Sequence, residues 1–366
     1  MRMKAAQKVP TPFYEYTGCL HVHTKHSDGT GTVENVAAAA RRAGIDFVAV
    51  NDHAHMSRAL NREEEDFYGD VFVMMDLEVG VRYHHYLAFD CRRMPRWDLA
   101  GGQEIIDEVK AAGGFGFLAH PFEKGMPLEG FVAYTWNDLD VTGFTGVCIW
   151  NFSSRWKERI AGVASGLLFI AFKSIFLKGP GRRTMDFWDR SCAGRRVVAL
   201  GGADAHHKRY GFGPFGIRPL TYDYLLGAIT VHILSDVPFP KQPGQARRVI
   251  CRALREGSLF VANDRIGPSR GFRFYYEPDE GPRCQMGEEA VFRPGRIYVE
   301  VPLEGEIRLF RDGSPVESVR GASLRRRVDV PGVYRVEVHR RVGLFGARPW
   351  IFSNPVYLRP HEAAEK

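Results

Sequence analysis

Between Gly18 and Ala203 the chain alternates two apolar patterns: short unbroken runs at 47–50, 115–118, 146–150 and 197–200, and longer stretches in which apolar residues recur at helical spacing. Runs of four or five apolar residues beside polar or glycine positions predict buried strands, and the spaced stretches predict helices packed on them. The clearest helix is 33–43, rich in alanine, with Thr32 as N-cap and Gly44 as its stop. A second is expected over 105–112, stopped by Gly113 and Gly114, and a third over 247–257. Strands and helices that take turns in this way predict an α/β unit built on a parallel sheet or barrel.

Beyond about Arg270 the pattern changes to period two. Tyr334, Val336 and Val338 alternate with Arg335, Glu337 and His339, and Asp312-Gly313 and Pro331-Gly332 are turn signals between such runs. A small antiparallel β-sandwich over 269–360 is expected, after a larger unit over 14–268.

Composition adds limits. With 366 residues, 45% of them hydrophobic and 25% charged, the chain has ordinary globular values, which excludes a disordered or fibrous class. The net charge of +7 suits an anionic ligand but is no evidence for a reaction. No basic stripe with interleaved aromatics is present, so a long nucleic-acid strand is not the expected partner, and Arg325, Arg326 and Arg327 read as a solvated run. The six cysteines include no CxxC pair, which argues against a disulfide framework or structural zinc site and fits free thiols in the cytoplasm. The first 18 residues have positive charge but no apolar stretch of the kind that directs export. Residues 160–177 are apolar except for Ser165, Lys173 and Ser174. The glycines at 162 and 166 and the lysine make a helix packed on the protein, or lying over a site mouth, the expectation rather than a membrane span.

The polar residues that carry chemistry sit beside the apolar runs. In GCLHVHTKHSDGT, His21 and His23 are two apart on an expected strand, so both side chains should share a face, with Asp28 at the following turn. His53 ends VAVNDH, Glu78 ends VFVMMDLE, His85 stands in HHYLAFD, His120 follows FGFLA, and Asp204 and His206 follow VVALGGA. If the strands share one barrel, their carboxyl ends form one rim, and six histidines and three carboxylates converge there. A set of that kind without thiolate suits divalent Zn, Mn or Fe.

With these residues in view, the chain resembles the PHP (polymerase and histidinol phosphatase) superfamily of metal-dependent phosphoesterases: HVHTKHSDG, NDH, the Glu78 and His85 pair, AHP and GGADAH stand in that family's order. The resemblance implies a distorted TIM-like (β/α)7 barrel followed by the small β-sandwich, with three divalent ions on the rim. It implies that His21, His23, Glu78 and Asp204 hold one ion, that Glu78 bridges to a second held by His85 and His120, and that Asp28, His53 and His206 hold a third. Asp28 is similar to the nucleotide and RNA phosphoesterase branch. Glu78, Asp204 and His206 are the expected catalytic residues. The implied reaction is hydrolysis of a phosphomonoester or phosphodiester by a metal-bridging hydroxide, because cations lower the pKa of bound water and clamp the phosphoryl oxygens. His84 is the alternative to His85 by one position, Asn51 replaces a frequent threonine at a position not expected to matter, and His26 and His55 are extra histidines outside the expected set.

Lys208, Arg209 and Arg155 are candidate substrate-binding residues, with Lys157 a weaker one. The expected partner is a small anionic phosphoester, a nucleotide or short oligonucleotide by preference. The alternatives are a phosphatase for a small non-nucleotide metabolite, a C–N hydrolase on a similar barrel, and a non-catalytic metal-binding scaffold.

Overall fold

The computed structural model describes residues 14–127, 130, 132–210 and 216–361; residues 1–13 of the segment read above for an export signal lie outside them. The strands of the first part are β1 (Tyr14–Val22), β2 (Phe47–His53), β3 (Asp66–Tyr68), β4 (Val71–Val79), β5 (Tyr86–Phe89), β6 (Phe115–Leu118), β7 (Gly146–Asn151), β8 (Val198–Gly202), β9 (Ile229–Ser235) and β10 (Leu259–Asn263). The helices are α1 (Val33–Ala43), α2 (Ala54–Ser57), α3 (Gly102–Ala111), α4 (Phe152–Lys157), α5 (Val163–Ala171), α6 (Arg182–Gly194), α7 (Tyr222–Leu225) and α8 (Pro243–Glu256). The mixed α/β class expected from the patterning is observed.

Local signals fix the helix ends. Thr32 Oγ1 accepts the Asn35 N–H at 3.3 Å while Asn35 Oδ1 accepts the Thr32 N–H at 3.1 Å, and Gly44 leaves α1 at φ 70. α3 begins at Gly102, before the expected 105, because Glu104 reaches back to the Gly101 N–H at 3.2 Å. α8 begins at Pro243 rather than 247, since proline at the first turn gives up an N–H that has no helical partner there.

Pairing runs parallel from β1 to β2 to β4, antiparallel from β4 to β5 and from β5 to β6, then parallel from β6 to β7 to β8. Backbone bonds from Ala203 to Leu20 (3.0 Å), from Ala205 to His21 (3.1 Å) and from His23 to Ala205 (2.9 Å) carry the path from the end of β8 back to β1. β5 runs against its neighbours. On its other edge β1 pairs antiparallel with β9, and β9 with β10.

The second part has β11 (Arg273–Pro278), β12 (Cys284–Gln285), β13 (Glu289–Val291), β14 (Gly295–Arg311), β15 (Ser314–Val328), β16 (Gly332–Arg341), β17 (Ala347–Ser353) and β18 (Val356–Arg359). Its pairings are antiparallel except for parallel β13–β18. It has its own core, including Ile297, Val299, Val336, Val338 and Trp350, which also takes in Leu234, Phe260 and Ala262 from β9 and β10. β10 pairs with β17, and Asn354 Oδ1 accepts the Ala199 N–H at 2.7 Å while its amide donates to Leu259, so the two parts share backbone. The alternation read at β16 holds for Tyr334, Val336 and Val338, which are buried. Arg335, expected on the polar face, is buried as well, because that face packs on α6: it is bidentate to Asp189 at 2.7 and 2.9 Å and lies over Phe310.

The apolar stretch 160–177 contains the short helix α5, with Phe169 buried and Leu167 62% exposed. Tyr224 holds the segment down by donating to Ser174 Oγ at 2.6 Å. Among the described residues no helix is long and apolar enough to cross a membrane.

Candidate metal centre

Eight of the nine expected residues stand at or just past a strand's carboxyl end or in the turn after it, and His85 is the exception: it precedes β5. Because β5 is reversed, its beginning lies on the same rim as the ends of the parallel strands, and His85 Nδ1 comes within 3.1 Å of Glu78 Oε1. His84 points elsewhere, with its Nδ1 bonded to Ala100 O at 3.2 Å and its ring against Trp136.

His21 and His23 reach the same place by a different route from simple strand alternation. The β1–β2 register shifts between Cys19 and Val22, and His21 adopts φ 63. His120 (φ 29) and Asp204 (φ 53) are also left-handed. Such backbone costs on the order of 1–3 kcal/mol per residue and persists where surrounding contacts impose it. Those contacts are visible. Asn51 Oδ1 accepts the His21 N–H at 3.0 Å and its amide donates to Leu77 O at 3.4 Å, which ties β1 to β4, so Asn51 positions a ligand strand without belonging to a ligand group. Asp52 accepts the Thr24 N–H (2.7 Å), the Thr24 hydroxyl (2.6 Å) and the Ser27 hydroxyl, and so fixes the turn that carries Asp28.

Glu78 is the hub. Its Oε1 lies 3.2 Å from His21 Nε2, 3.1 Å from His85 Nδ1 and 3.2 Å from His120 Nε2, and its Oε2 lies 3.2 Å from His53 Nδ1 and 3.5 Å from His23 Nε2. Asp204 Oδ1 lies 3.5 Å from His21, 3.4 Å from His23 and 3.5 Å from His206. Asp28 Oδ1 lies 3.1 Å from His206 and 3.6 Å from His53. Donor atoms within 4.8 Å of one another form four groups: His23, Asp28, His53 and His206; His21, His23 and Asp204; His21, Glu78 and His120; His53, Glu78 and His85. Together they contain all nine residues, and His21, His23 and His53 each belong to two groups where the three-way division expected one.

The donors fit cations. His21 Nδ1 and Nε2, His23 Nε2, Asp28 Oδ1, His53 Nδ1 and His85 Nε2 are buried without hydrogen-bond partners among the described residues. Buried polar atoms are normally paired, so a cluster of unpaired ring nitrogens and a carboxylate oxygen is what an inner ligand shell looks like without its ions. Burial alone would raise the Glu78 and Asp204 carboxyls, yet the surrounding histidines hold both well below the usual range. Burial would lower His23, but the nearby carboxylates of Asp204 and Glu78 raise it to about 9; His53 and His206 are lowered, chiefly by burial. The cluster opens on a cavity of about 190 Å³.

Of the candidate substrate residues, Lys208 lines this cavity and pairs with Asp28 Oδ2 at 2.7 Å. Arg209 is exposed, with its guanidinium against Gly216. Arg155 donates to Gly179 O at 3.0 Å and pairs with Glu158, away from the cluster. Two further charged residues line the cavity: Lys157, the weaker candidate of the sequence reading, and Glu123, which that reading did not name. Half-buried Lys157 faces Asp204 and Glu123, whose charges raise its pKa against the opposing effect of burial. Glu123 is 3.5 Å from His120 Nδ1 and accepts the Tyr134 N–H at 3.3 Å. Glu123 has no local pattern that marks it. Lys157 ends α4, the short helix that follows β7 directly, so the strand-end argument that selected the other residues could have promoted it. His55 also lines the cavity, whereas His26 pairs with Glu64 at 2.6 Å outside it.

No protein-family model matches the chain, and no curated protein matches it. Among solved structures it is similar to a two-domain protein containing a predicted PHP-like metal-dependent phosphoesterase from Bacteroides vulgatus ATCC 8482, at 12% identity and a TM-score of 0.43, over 96% of this chain and 99% of that one. A likeness at that level bears no weight by itself, and the functional reading stands on the side chains that meet at the rim.

Proposed function

We propose that the chain is a metal-dependent phosphoesterase of the PHP type, acting in the cytoplasm on a small anionic phosphomonoester or phosphodiester, with a nucleotide or short oligonucleotide preferred. The supporting observation is the convergence of His21, His23, Asp28, His53, Glu78, His85, His120, Asp204 and His206 with unpaired ligand atoms. In this reading residues 14–268 form a distorted TIM-like barrel of seven strands and residues 269–360 a β-sandwich appended to it.

His21, His23, Glu78 and Asp204 would hold one ion, Glu78, His85 and His120 a second, and Asp28, His53 and His206 a third. Bound divalent ions supply Lewis acidity and acidify water toward neutral pH. The chain's own residues do the rest. Glu78 presents one oxygen to each side of the cluster, Lys157 and Lys208 offer ammonium groups to the phosphoryl oxygens, and burial of the histidines keeps bulk water from competing for the ligand atoms. A phosphatase for a small metabolite is the second reading, favoured by a cavity of only about 190 Å³.

The test is elemental analysis of the purified chain together with a panel of nucleotides, short oligonucleotides and sugar phosphates, with and without chelator. At least one metal equivalent and chelator-sensitive hydrolysis are expected. Hydrolysis untouched by chelation, or no turnover of any panel member by metal-loaded protein, refutes the proposal.

A further inference from the structure

Next to the cluster, with His120 and Glu123 in the common wall, lies a larger cavity of about 410 Å³ between the loop after β6, the β7–α4 connection and the start of α6. Three polar atoms of its lining residues are buried and unpartnered among the described residues: Asn151 Nδ2, Ser154 Oγ and Arg159 Nη1. Asn151 and Ser154 are 3% and 5% exposed. Asn151 Oδ1 is committed to the Ser154 N–H at 2.9 Å, which leaves the amide's NH2 as the free end.

A fourth set of donors comes from the backbone. α6 is 13 residues long, its N-cap Gly181 supplies no side-chain cap, and Gly181 and Thr184 of its first turn line the cavity. The first N–H groups of a helix have no internal partner, and they favour negative charge. Lys178 and Arg183 stand at the same wall. Of the two carboxylates there, Glu158 pairs with Arg155, and Glu123 leans on His120. The cavity is therefore rich in donors and poor in free acceptors, which matches an anion and not a neutral or cationic group.

We infer that this cavity is a second anion subsite, so that the substrate bears two anionic groups: the scissile phosphoryl group over the metal cluster and a second phosphate or a carboxylate held by Asn151, Ser154, Arg159 and the α6 N-terminus. This rests on the phosphoesterase reading and narrows its substrate class. The sequence reading offered Arg155 as a substrate-binding residue. Arg155 is occupied by Glu158 and Gly179, and Arg159, four residues on and just past the end of α4, carries the unpaired nitrogen.

The test compares kcat/KM of the metal-loaded full chain for p-nitrophenyl phosphate, which has no second anion, with that for 2-phosphoglycerate, fructose 1,6-bisphosphate and adenosine 3′,5′-bisphosphate. At least one doubly anionic substrate is expected to exceed p-nitrophenyl phosphate by about tenfold, and Arg159→Gln and Ser154→Ala are each expected to cut that ratio by about tenfold. The phosphoglycerate and bisphosphate arms tell a carboxylate from a phosphate ligand. Turnover without such a preference, or a ratio unmoved by both variants, overturns the subsite and leaves the phosphoesterase reading intact. Failure to turn over any substrate defeats that reading, and calorimetric titration of inorganic phosphate then decides the cavity alone. Two bound phosphates in the wild type and one in Arg159→Gln are expected; equal numbers in both overturn the anion site.

Discussion

Among the described residues, the rim cluster and the cluster around His232 both bury histidine beside carboxylate, and they differ in one respect. At the rim, nine residues crowd together and leave ring nitrogens and a carboxylate oxygen unpaired. Where β1, β9 and β10 meet, His232 is equally buried but complete: Nδ1 is 2.9 Å from Glu15 Oε1, Nε2 is 3.0 Å from Asp264 Oδ2 and 3.0 Å from Ser269 Oγ. Glu15 goes on to Arg273 at 2.6 Å and the Gly271 N–H at 2.9 Å. Burial beside carboxylates is common to both, so it does not distinguish a ligand histidine from a structural one. The convergence of several unpaired donor atoms does, since a lone one also occurs at His84 Nε2 and His339 Nε2, outside the ligand groups. The His232 network fastens the first strand to the segment leading into the second part, and the rim cluster is held for something that is not protein.

The sharpest way to break this contrast is at its two hubs. Glu78→Gln is expected to lower turnover by about a thousandfold or more, roughly 4 kcal/mol of activation free energy, and to reduce the metal content measured by elemental analysis; full activity would remove Glu78 from the centre of the chemistry. His232→Leu is expected to leave metal content as it is and to destabilise the fold by about 3 kcal/mol in denaturant titration, because half-buried Asp264 loses its cation and buried Glu15 is left with Arg273 alone. Metal loss on that substitution would mean that the two clusters are one system. Saturating metal at a hundred times its Kd should stabilise the wild type by about 2.7 kcal/mol, and the Glu78→Gln chain by less.

The smallest effect is that of pH. Burial would lower His232, but its bonds to Asp264 and Glu15 raise it, while the same contacts lower both carboxyls. A histidine raised on folding stabilises fully below its unfolded value of about 6.5, and that share is lost as pH rises through the folded value. The carboxylates act oppositely, with a share that is lost on acidification. Denaturant midpoints of the wild type minus those of a His232→Gln chain should therefore shrink from pH 6 toward alkaline pH, by an amount on the order of 1 kcal/mol; a difference that grows instead would show His232 to be neutral in the fold.

Much of this was legible in the chain, for physical reasons that can be named. α1 could be read because its start and stop are local: Thr32 and Asn35 cap each other, and Gly44 takes the left-handed turn. The nine rim residues could be picked out because each stands near a buried apolar run, so the strand ends located them. What escaped depends on partners distant in sequence. The reversal of β5 explains why His85 belongs with strand ends although it stands just before a strand, and nothing in HHYLAFD reports that direction. Arg335 alternates like a solvent-facing residue, and only the approach of α6 buries it against Asp189. Asn51 and Glu123 bond backbone atoms 11 to 30 positions away, beyond any local spacing rule.

The left-handed backbone at Asp204 bears on how the centre can be dissected. Asparagine tolerates that conformation better than other residues with a side chain, while a β-branched replacement opposes it whatever its charge. Asp204→Asn therefore removes the anion with the main chain at rest, whereas Asp204→Val confounds a lost ligand with a peptide forced out of shape, so only the first is a clean probe of what the carboxylate does.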